Sequence, residues 1–303
     1  LSRRHVRNAL RNWLKLGLIE AGYDFDPAAV AFAHAFNLQI ADFDMTIRVT
    51  SERLARLFSV FDHLVTPAHE APITLAMIEA DGLVHVFHDK RSVMCCDEAE
   101  LVPSIKAYVT ELLVKANAPN IVFHAACLVH RDRCILISGR PGAGKTTLAL
   151  RLMAAGFSFA ADDIVLIAPD GSATGVPFAP AVKSGAWDTV REFRPDVTDA
   201  AIHRRTDGKR VRYLAPTRIA RHASYPVGTI VFIKRALDVT ELRPLDPLKA
   251  MRLVMEASYA EDGLLSSAGC RTLNRMLAGA SAFELTASTL DETAATIAQL
   301  CDG

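Results

Sequence analysis

A layered α/β fold, preceded by a smaller α/β module, is the architecture the sequence predicts. Three observations predict it. From residue 121 onward, apolar strand-like runs alternate with helical stretches that carry one apolar stripe. A glycine-rich loop at 139–144 joins one such run to one such helix. Half of the 303 residues are apolar, enough for a sizeable core, while 34 Lys and Arg balance 34 Asp and Glu. That balance gives no global field toward nucleic acid or a membrane surface.

The first stretch, LSRRHVRNALRNWLKLGLIEAG, reads as a helix capped by Ser2, striped by Val6, Leu10, Trp13 and Leu14, and closed by Gly17. Its ending resembles the last helix of PqqD-like winged-helix domains, which bind leader peptides; an amphipathic helix packed on the main body explains the same periodicity. Residues 1–30 are assigned to this segment, 31–118 to an N-terminal α/β module and 119–303 to the main domain. In the module, LQIADFDMTIRV and ITLAMIEADGLVHVFHD read as strands, the latter a hairpin turning at Asp81–Gly82. SERLARLFSVFDHL and ELVPSIKAYVTELLVKAN read as helices. A boundary is expected near 117–120.

In the main domain IVFHAACLVH is one buried-looking strand, CILISG a second, and GKTTLALRLMAAG a helix ending at Gly156. FSFAADDIVLIAPDG reads as strand, acidic pair, strand and turn. GTIVFIKRA and SAFELTA follow as strands, and PLKAMRLVMEA, GLLSSAGCRTLNRMLAG and TLDETAATIAQL as helices. The six cysteines show neither zinc nor redox spacing and read as reduced thiols of a cytoplasmic protein. No apolar run approaches the roughly 18 residues of a membrane span, and no signal peptide is recognisable. The chain begins with Leu, so its natural start is expected upstream.

Gly139, Gly144, Lys145 and Thr146 fit G-x-x-x-x-G-K-[ST]. Such a loop needs glycines so that its backbone can curl and aim N–H groups at phosphate oxygens. Gly139, Arg140, Pro141, Gly142, Ala143, Gly144, Lys145, Thr146 and Thr147 are therefore the expected nucleotide-binding residues, with ATP as nucleotide. Lys145 reaches the terminal phosphates and the Thr146 hydroxyl is a ligand for Mg²⁺. Arg140 is a further candidate phosphate contact.

Two more groups are expected beside the loop. If the strands ending at His130 and starting at Arg133 pair about an Arg131–Asp132 turn, His124 lies opposite Gly139, at the mouth of the loop; a core histidine is the bland alternative. The strand FSFAA, reached through a helical crossover, should run parallel to the strand before the loop. Asp162 and Asp163 would then open on the loop's edge, where open α/β sheets bind ligands. One acid suits a metal-linked role and the other a base; a solvated turn, or a plain metal-holding acid, is the alternative.

His124, the loop and the ADD at 161–163 together resemble the catalytic core of HPr kinase/phosphorylase, a bacterial protein kinase. The specific likeness covers 121–168. A looser likeness over most of the chain is to the shorter kinases of that kind found beside peptide-modification genes, including kinases of lasso-peptide precursors. The resemblance implies a P-loop kinase core similar to that of phosphoenolpyruvate carboxykinase. It also implies Asp163 as the acid that takes the acceptor proton, Lys145 and His124 as the other catalytic positions, and Thr146 as the metal-binding hydroxyl; Asp162 reads as the acid that supports the metal. Where the family has a glutamate as second metal ligand, this chain reads VPFAPAVKSGAWD, with Lys183 on that strand and Asp188 nearby. The family's later signature, tied to the reverse reaction and to HPr itself, is not recognisable, so neither is carried over.

The segment HRRTDGKRVRY holds Arg204, Arg205, Lys209, Arg210 and Arg212, which with Lys183 are candidate phosphate or substrate contacts; a solvated hairpin about Asp207–Gly208 is the alternative. The expectation is a kinase acting on a serine or threonine hydroxyl of a peptide or small protein, with no nucleic-acid or membrane partner and with a homo-oligomer compatible. Its rivals are a kinase of a small amino-acid-like molecule and a non-catalytic nucleotide-binding regulator.

Overall fold

The computed structural model describes residues 5–6, 9–10, 12–13, 18–19, 29–80, 82–220, 222–236, 239–260 and 263–302. Val6, Leu10 and Trp13 are helical and exposed, whereas Ser2, Leu14 and Gly17 of the expected N-terminal helix lie outside the described residues. The chain packs as two units, Leu1–Tyr108 with Ala201–Arg212, and Val109–Ala200 with Tyr213–Gly303. The division therefore falls upstream of residues 117–120, and a hairpin from far downstream joins the first unit.

In the first unit, β1 (His34–Ile40), β2 (Phe43–Val49), β3 (Val65–Thr66), β4 (Ile73–Ala80), β5 (Leu83–His88) and β6 (Arg91–Cys96) form one sheet in the order β3-β1-β2-β4-β5-β6. The β4–β5 hairpin turns after Ala80↔Leu83, and Gly82 takes φ 73°, the turn expected there. The helix expected over 51–64 is shorter. Ser51 caps α1 (Glu52–Leu57), and Phe58–Leu64 tightens into 3₁₀ turns that bury Phe58, Phe61 and Leu64. α2 (Glu98–Ala116) follows.

The main domain is mixed α/β. Its larger sheet has the order β10-β8-β9-β16-β19-β17 and its smaller the order β12-β11-β7-β18. The strands are β7 (Ile121–His124), β8 (Ala126–His130), β9 (Arg133–Ser138), β10 (Ser158–Ala161), β11 (Ile164–Ile167), β12 (Ala173–Gly175) and β13 (Ala181–Lys183). Beyond the β14 (Ile202–Arg204) and β15 (Arg210–Tyr213) hairpin of the first unit come β16 (Val227–Arg235), β17 (Glu241–Pro244), β18 (Ser258–Tyr259) and β19 (Ser281–Ala287). The helices are α3 (Lys145–Ala154), α4 (Trp187–Arg191), α5 (Pro247–Glu256), α6 (Ser267–Ala278) and α7 (Leu290–Asp302).

Strand alternation gives the larger sheet two cores. Ile135, Ile137, Val231 and Ile233 pack with Leu148 and Leu152 of α3 and Ile297 of α7 on one face. Leu136, Ile230 and Phe232 pack with Phe123, Val165, Val254 and Leu273 on the other. β9, β16 and β19 are parallel, as helical crossovers require.

One expected strand is two. Residues 121–130 bend at Ala125, so β8 stays in the larger sheet while β7 enters the smaller one. Its partner does the same, with β10 passing into β11 through a bend at Asp162–Asp163. Ala161↔Cys127 and Ile164↔His124 keep one register across the bend, so a single two-stranded ribbon leaves one sheet for the other there. Ala125 and Ala126 are fully buried, and their methyl side chains leave room for the crossing.

The first unit's hairpin carries a pH-sensitive group. His203 on β14 is buried, and desolvation lowers its pKa from 6.5 to about 4. The unfolded chain takes up this proton at the higher pH, so the contribution to stability is present above 6.5 and is lost as pH falls toward about 4. The loss should reach about 3 kcal/mol. Thermal melts of the wild type and His203→Gln from pH 4 to 7 check this, the variant giving the flatter profile.

Candidate functional site

β9 delivers the chain to the carboxyl edge of the larger sheet, and residues 139–144 turn it into α3. The turn needs glycine at its first position for a steric reason. A Cβ on Gly139 would stand 2.7 Å from the Ile233 carbonyl oxygen on β16. Gly144, at the N-cap of α3, takes φ 101°, where a side chain is strained. The loop therefore lies close against β16 and opens toward the N-terminus of a ten-residue helix, whose first N–H groups suit an anion. Gly139→Ala should cost more than the ~1 kcal/mol of an ordinary Gly→Ala change, because a backbone oxygen cannot give way as a side-chain end can. A melting temperature equal to wild type would contradict that.

Lys145 and Thr146 begin α3 and turn inward. Lys145 is buried, and its ammonium donates to the Gly139 carbonyl at 2.8 Å, tying the loop's end to its start. Burial lowers its pKa, opposed by the carboxylates of Asp163 and Asp162, while Lys183 on β13 adds to the lowering. The Thr146 hydroxyl donates to Asp162 Oδ2 at 3.2 Å, and the Ala181 N–H donates to the same oxygen at 3.1 Å. Asp162, 2 % exposed, is thus fixed from the helix on one side and from β13 on the other.

Asp163, its neighbour in the bend, is only partly buried. Its negative charge raises the pKa of three groups, His124, Lys145 and Tyr259, and so lies among them. His124 also hydrogen-bonds to the backbone of Asp163. Desolvation is nevertheless the largest influence on His124, lowering its pKa and favouring the neutral ring. Desolvation likewise is the first cause of the raised Tyr259 pKa.

The expected route of His124 to the loop needs correction. The β8–β9 register about Arg131–Asp132 is the one anticipated, from His130↔Arg133 to Ala126↔Ile137, but the ladder stops before residue 124. His124 does not pair with Gly139. The bend at Ala125 places it opposite Ile164, and its carbonyl accepts from Ser138 Oγ at 3.0 Å. Its side chain still lines a cleft of about 960 Å³ together with Gly139–Ala143. The direction expected for the acidic strand does hold. β10 and β9 both run antiparallel to β8, so Asp162–Asp163 follow the β10 end that shares an edge with the loop.

Other residues of this cleft carry no sequence signal. Ser138, Arg235, Arg252, Glu256 and Tyr259 line it. Tyr259 arrives on a two-residue strand that pairs with β7 through Tyr259↔Val122, and the His124 N–H donates to the Ala257 carbonyl at 2.8 Å. The basic segment at 203–213 forms the anticipated hairpin, and several of its cations meet carboxylates of their own unit. Arg204 bonds to Asp97 and, at 3.1 Å, to Glu100; Arg205 and Lys209 face Asp207 at 3.5 and 3.2 Å. Arg210 and Arg212 lie on β15.

Among the described residues, no group of three or more His, Cys, Asp or Glu side chains is arranged to hold a metal. Mg²⁺ takes one or two protein oxygens and completes its octahedron with phosphate and water. Thr146 Oγ1 and Asp162 Oδ2 are such oxygens, 3.2 Å apart at the foot of the loop. Among the described residues no helix is long and apolar enough to cross a membrane.

No family model matches the chain, and no curated protein matches it. Among solved structures it is similar to the HPr(Ser) kinase/phosphatase from Coxiella burnetii, at 15% identity over 59% of this chain and 90% of that one, with a TM-score of 0.27. At that level the likeness carries no argument, and what the site can do rests on its own geometry.

Proposed function

We propose that this chain is an ATP- and Mg²⁺-dependent phosphotransferase of the HPr-kinase-like kind, with a P-loop core, acting on a serine or threonine hydroxyl of a peptide or small protein. The observation that carries the reading is the convergence at one sheet edge of Lys145, the Thr146–Asp162 pair and Asp163 beside the neutral ring of His124. The N–H groups of residues 139–146 bind the phosphates, and Lys145 holds the charge that spreads over them as the bond to the leaving oxygen loosens. Thr146 and Asp162 hold Mg²⁺, which when bound neutralises phosphate charge. Asp163, the less buried acid, orients the acceptor hydroxyl and takes its proton. His124, half-buried and uncharged, is hydrogen-bonded to the Asp163 backbone, so it orders the bend that carries the base without repelling Lys145. A pure nucleotide sensor needs no second carboxylate, which is what favours an enzyme over a regulator.

The test is transfer of labelled γ-phosphate from ATP to serine-containing peptides, ribosomally made precursor peptides among them. Phosphoserine or phosphothreonine in the product supports the reading. ADP formation with no labelled acceptor, over a panel that also contains free serine and threonine, would instead favour a regulator.

A further inference from the structure

Among the described residues, a larger and a smaller cavity border the glycine loop. The larger, about 960 Å³, lies where His124, Arg140 and Tyr259 meet the ends of β16 and α5. The smaller, about 60 Å³, lies against Gly144, Thr147 and Ser288–Leu290. In phosphoryl transfer the attacking and leaving oxygens stand roughly in line on opposite sides of the phosphorus. A nucleotide seated on the loop therefore departs on one side and the acceptor arrives on the other. His124, and Tyr259 within the field of Asp163, belong to the larger cavity. Its size is at the top of the ~300–1,000 Å³ range of small-molecule pockets, more than a free amino acid fills.

The charges of this cleft are one-sided. Arg140, Lys234, Arg235 and Arg252 line it against a single carboxylate, Glu256. Lys234 is neutralised from outside the lining by Glu284 at 2.6 Å. Arg252 meets Glu256 only at 3.6 Å, with both side chains largely exposed. Arg140 and Arg235 form no ion pair with any described residue, and Arg140 belongs to the loop itself. Resting on the phosphotransferase reading, we propose that this cleft is the acceptor site. Arg235 and Arg252 select a peptide in which aspartate or glutamate flanks the phosphorylated hydroxyl.

The experiment compares two synthetic serine peptides, identical except for Asp and Glu or Lys at the flanking positions, with the full chain as enzyme. The wild type should favour the acidic peptide by about tenfold or more in kcat/KM, the scale of a charge-assisted contact. Arg252→Glu, an exposed helix position whose folding a melt verifies, should erase or invert that preference through the peptide KM. Arg235, which borders both cavities, is the weaker probe: Arg235→Ala should weaken the preference, and Arg252→Glu, which borders the larger cleft alone, should keep the KM for ATP within about twofold. Equal use of both peptides by the wild type overturns the proposal. So does an Arg252→Glu variant that raises the KM for ATP and leaves the peptide preference unchanged, since the cleft would then be the nucleotide's. If no hydroxyl is phosphorylated, the phosphotransferase reading fails. Fluorescence anisotropy of the same labelled peptides without ATP then decides the acceptor preference by itself, with tighter binding of the acidic peptide, lost in Arg252→Glu, required to sustain it.

Discussion

Lys145→Met is expected to abolish phosphoryl transfer and to weaken nucleotide binding by about 10²-fold or more, the upper end of what a single hydrogen bond to a charged group contributes. The side chain is buried and bonds to the Gly139 carbonyl at 2.8 Å, so the ammonium is held in place before any ligand arrives. Its charge lies in the field of two carboxylates that oppose the lowering of its pKa by burial. Removing it has two consequences of the same sign. The phosphates lose a buried cation, and Asp162 and Asp163 are left with less compensation for their negative charge, facing an anionic ligand. Methionine keeps most of the volume, so a cavity is not the cause of the loss. Thr146→Ala should act differently, lowering affinity in the presence of Mg²⁺ far more than in its absence. Calorimetry with ATP, with and without Mg²⁺, and a melt of each variant separate these effects. Undiminished binding by the Lys145 variant would sink the assignment of residues 139–146.

Much of this arrangement is legible from local pattern, and the rest is not, for reasons that differ from residue to residue. The loop and its flanks are local. A continuous apolar run marks β9, the glycines permit the turn, and α3 follows with its own stripe, so Lys145 and Thr146 take their places from a short stretch of chain. The direction of β10 follows from the handed crossover. The split of 121–130 into two strands does not show, because β7 and β8 are equally apolar and the bend falls between small residues that fit a continuous strand equally well. His124 is thus read to the neighbourhood of the loop by the wrong pairing. Arg252 and Tyr259 are invisible for another reason. α5 reads as an ordinary amphipathic helix, and β18 is too short to carry a periodicity, so only the long-range β7–β18 pairing brings them to the cleft. The charges of 203–213 state that a hairpin is basic and not which carboxylates meet it; Asp97 and Glu100 lie more than a hundred residues upstream of Arg204.

Asp163→Asn should leave nucleotide affinity near that of the wild type and lower turnover by about 10²-fold or more, the contribution of a well-placed general base. Asp162→Asn should instead raise the Mg²⁺ concentration needed for half-maximal rate. The two acids differ in what surrounds them. Asp162 is 2 % exposed, and one of its oxygens accepts from both Thr146 and Ala181. An asparagine there keeps an acceptor for the Ala181 N–H and loses the charge that a cation needs. Asp163 is less buried and stands among His124, Lys145 and Tyr259. The same substitution has a sign that pH can read. His124 is neutral above a pKa that burial holds below 6.5, and the Asp163 charge is the largest influence opposing that lowering. Without that charge the His124 pKa falls further. Any part of the rate that needs the neutral ring is lost as pH falls through that pKa, so its acid limb moves to lower pH in Asp163→Asn and stays in place in Asp162→Asn. Single-turnover rates from pH 4.5 to 8, at saturating ATP and Mg²⁺, measure both effects. Full turnover in Asp163→Asn, or two variants with the same Mg²⁺ and pH profiles, would show that the acids do not divide their work in this way.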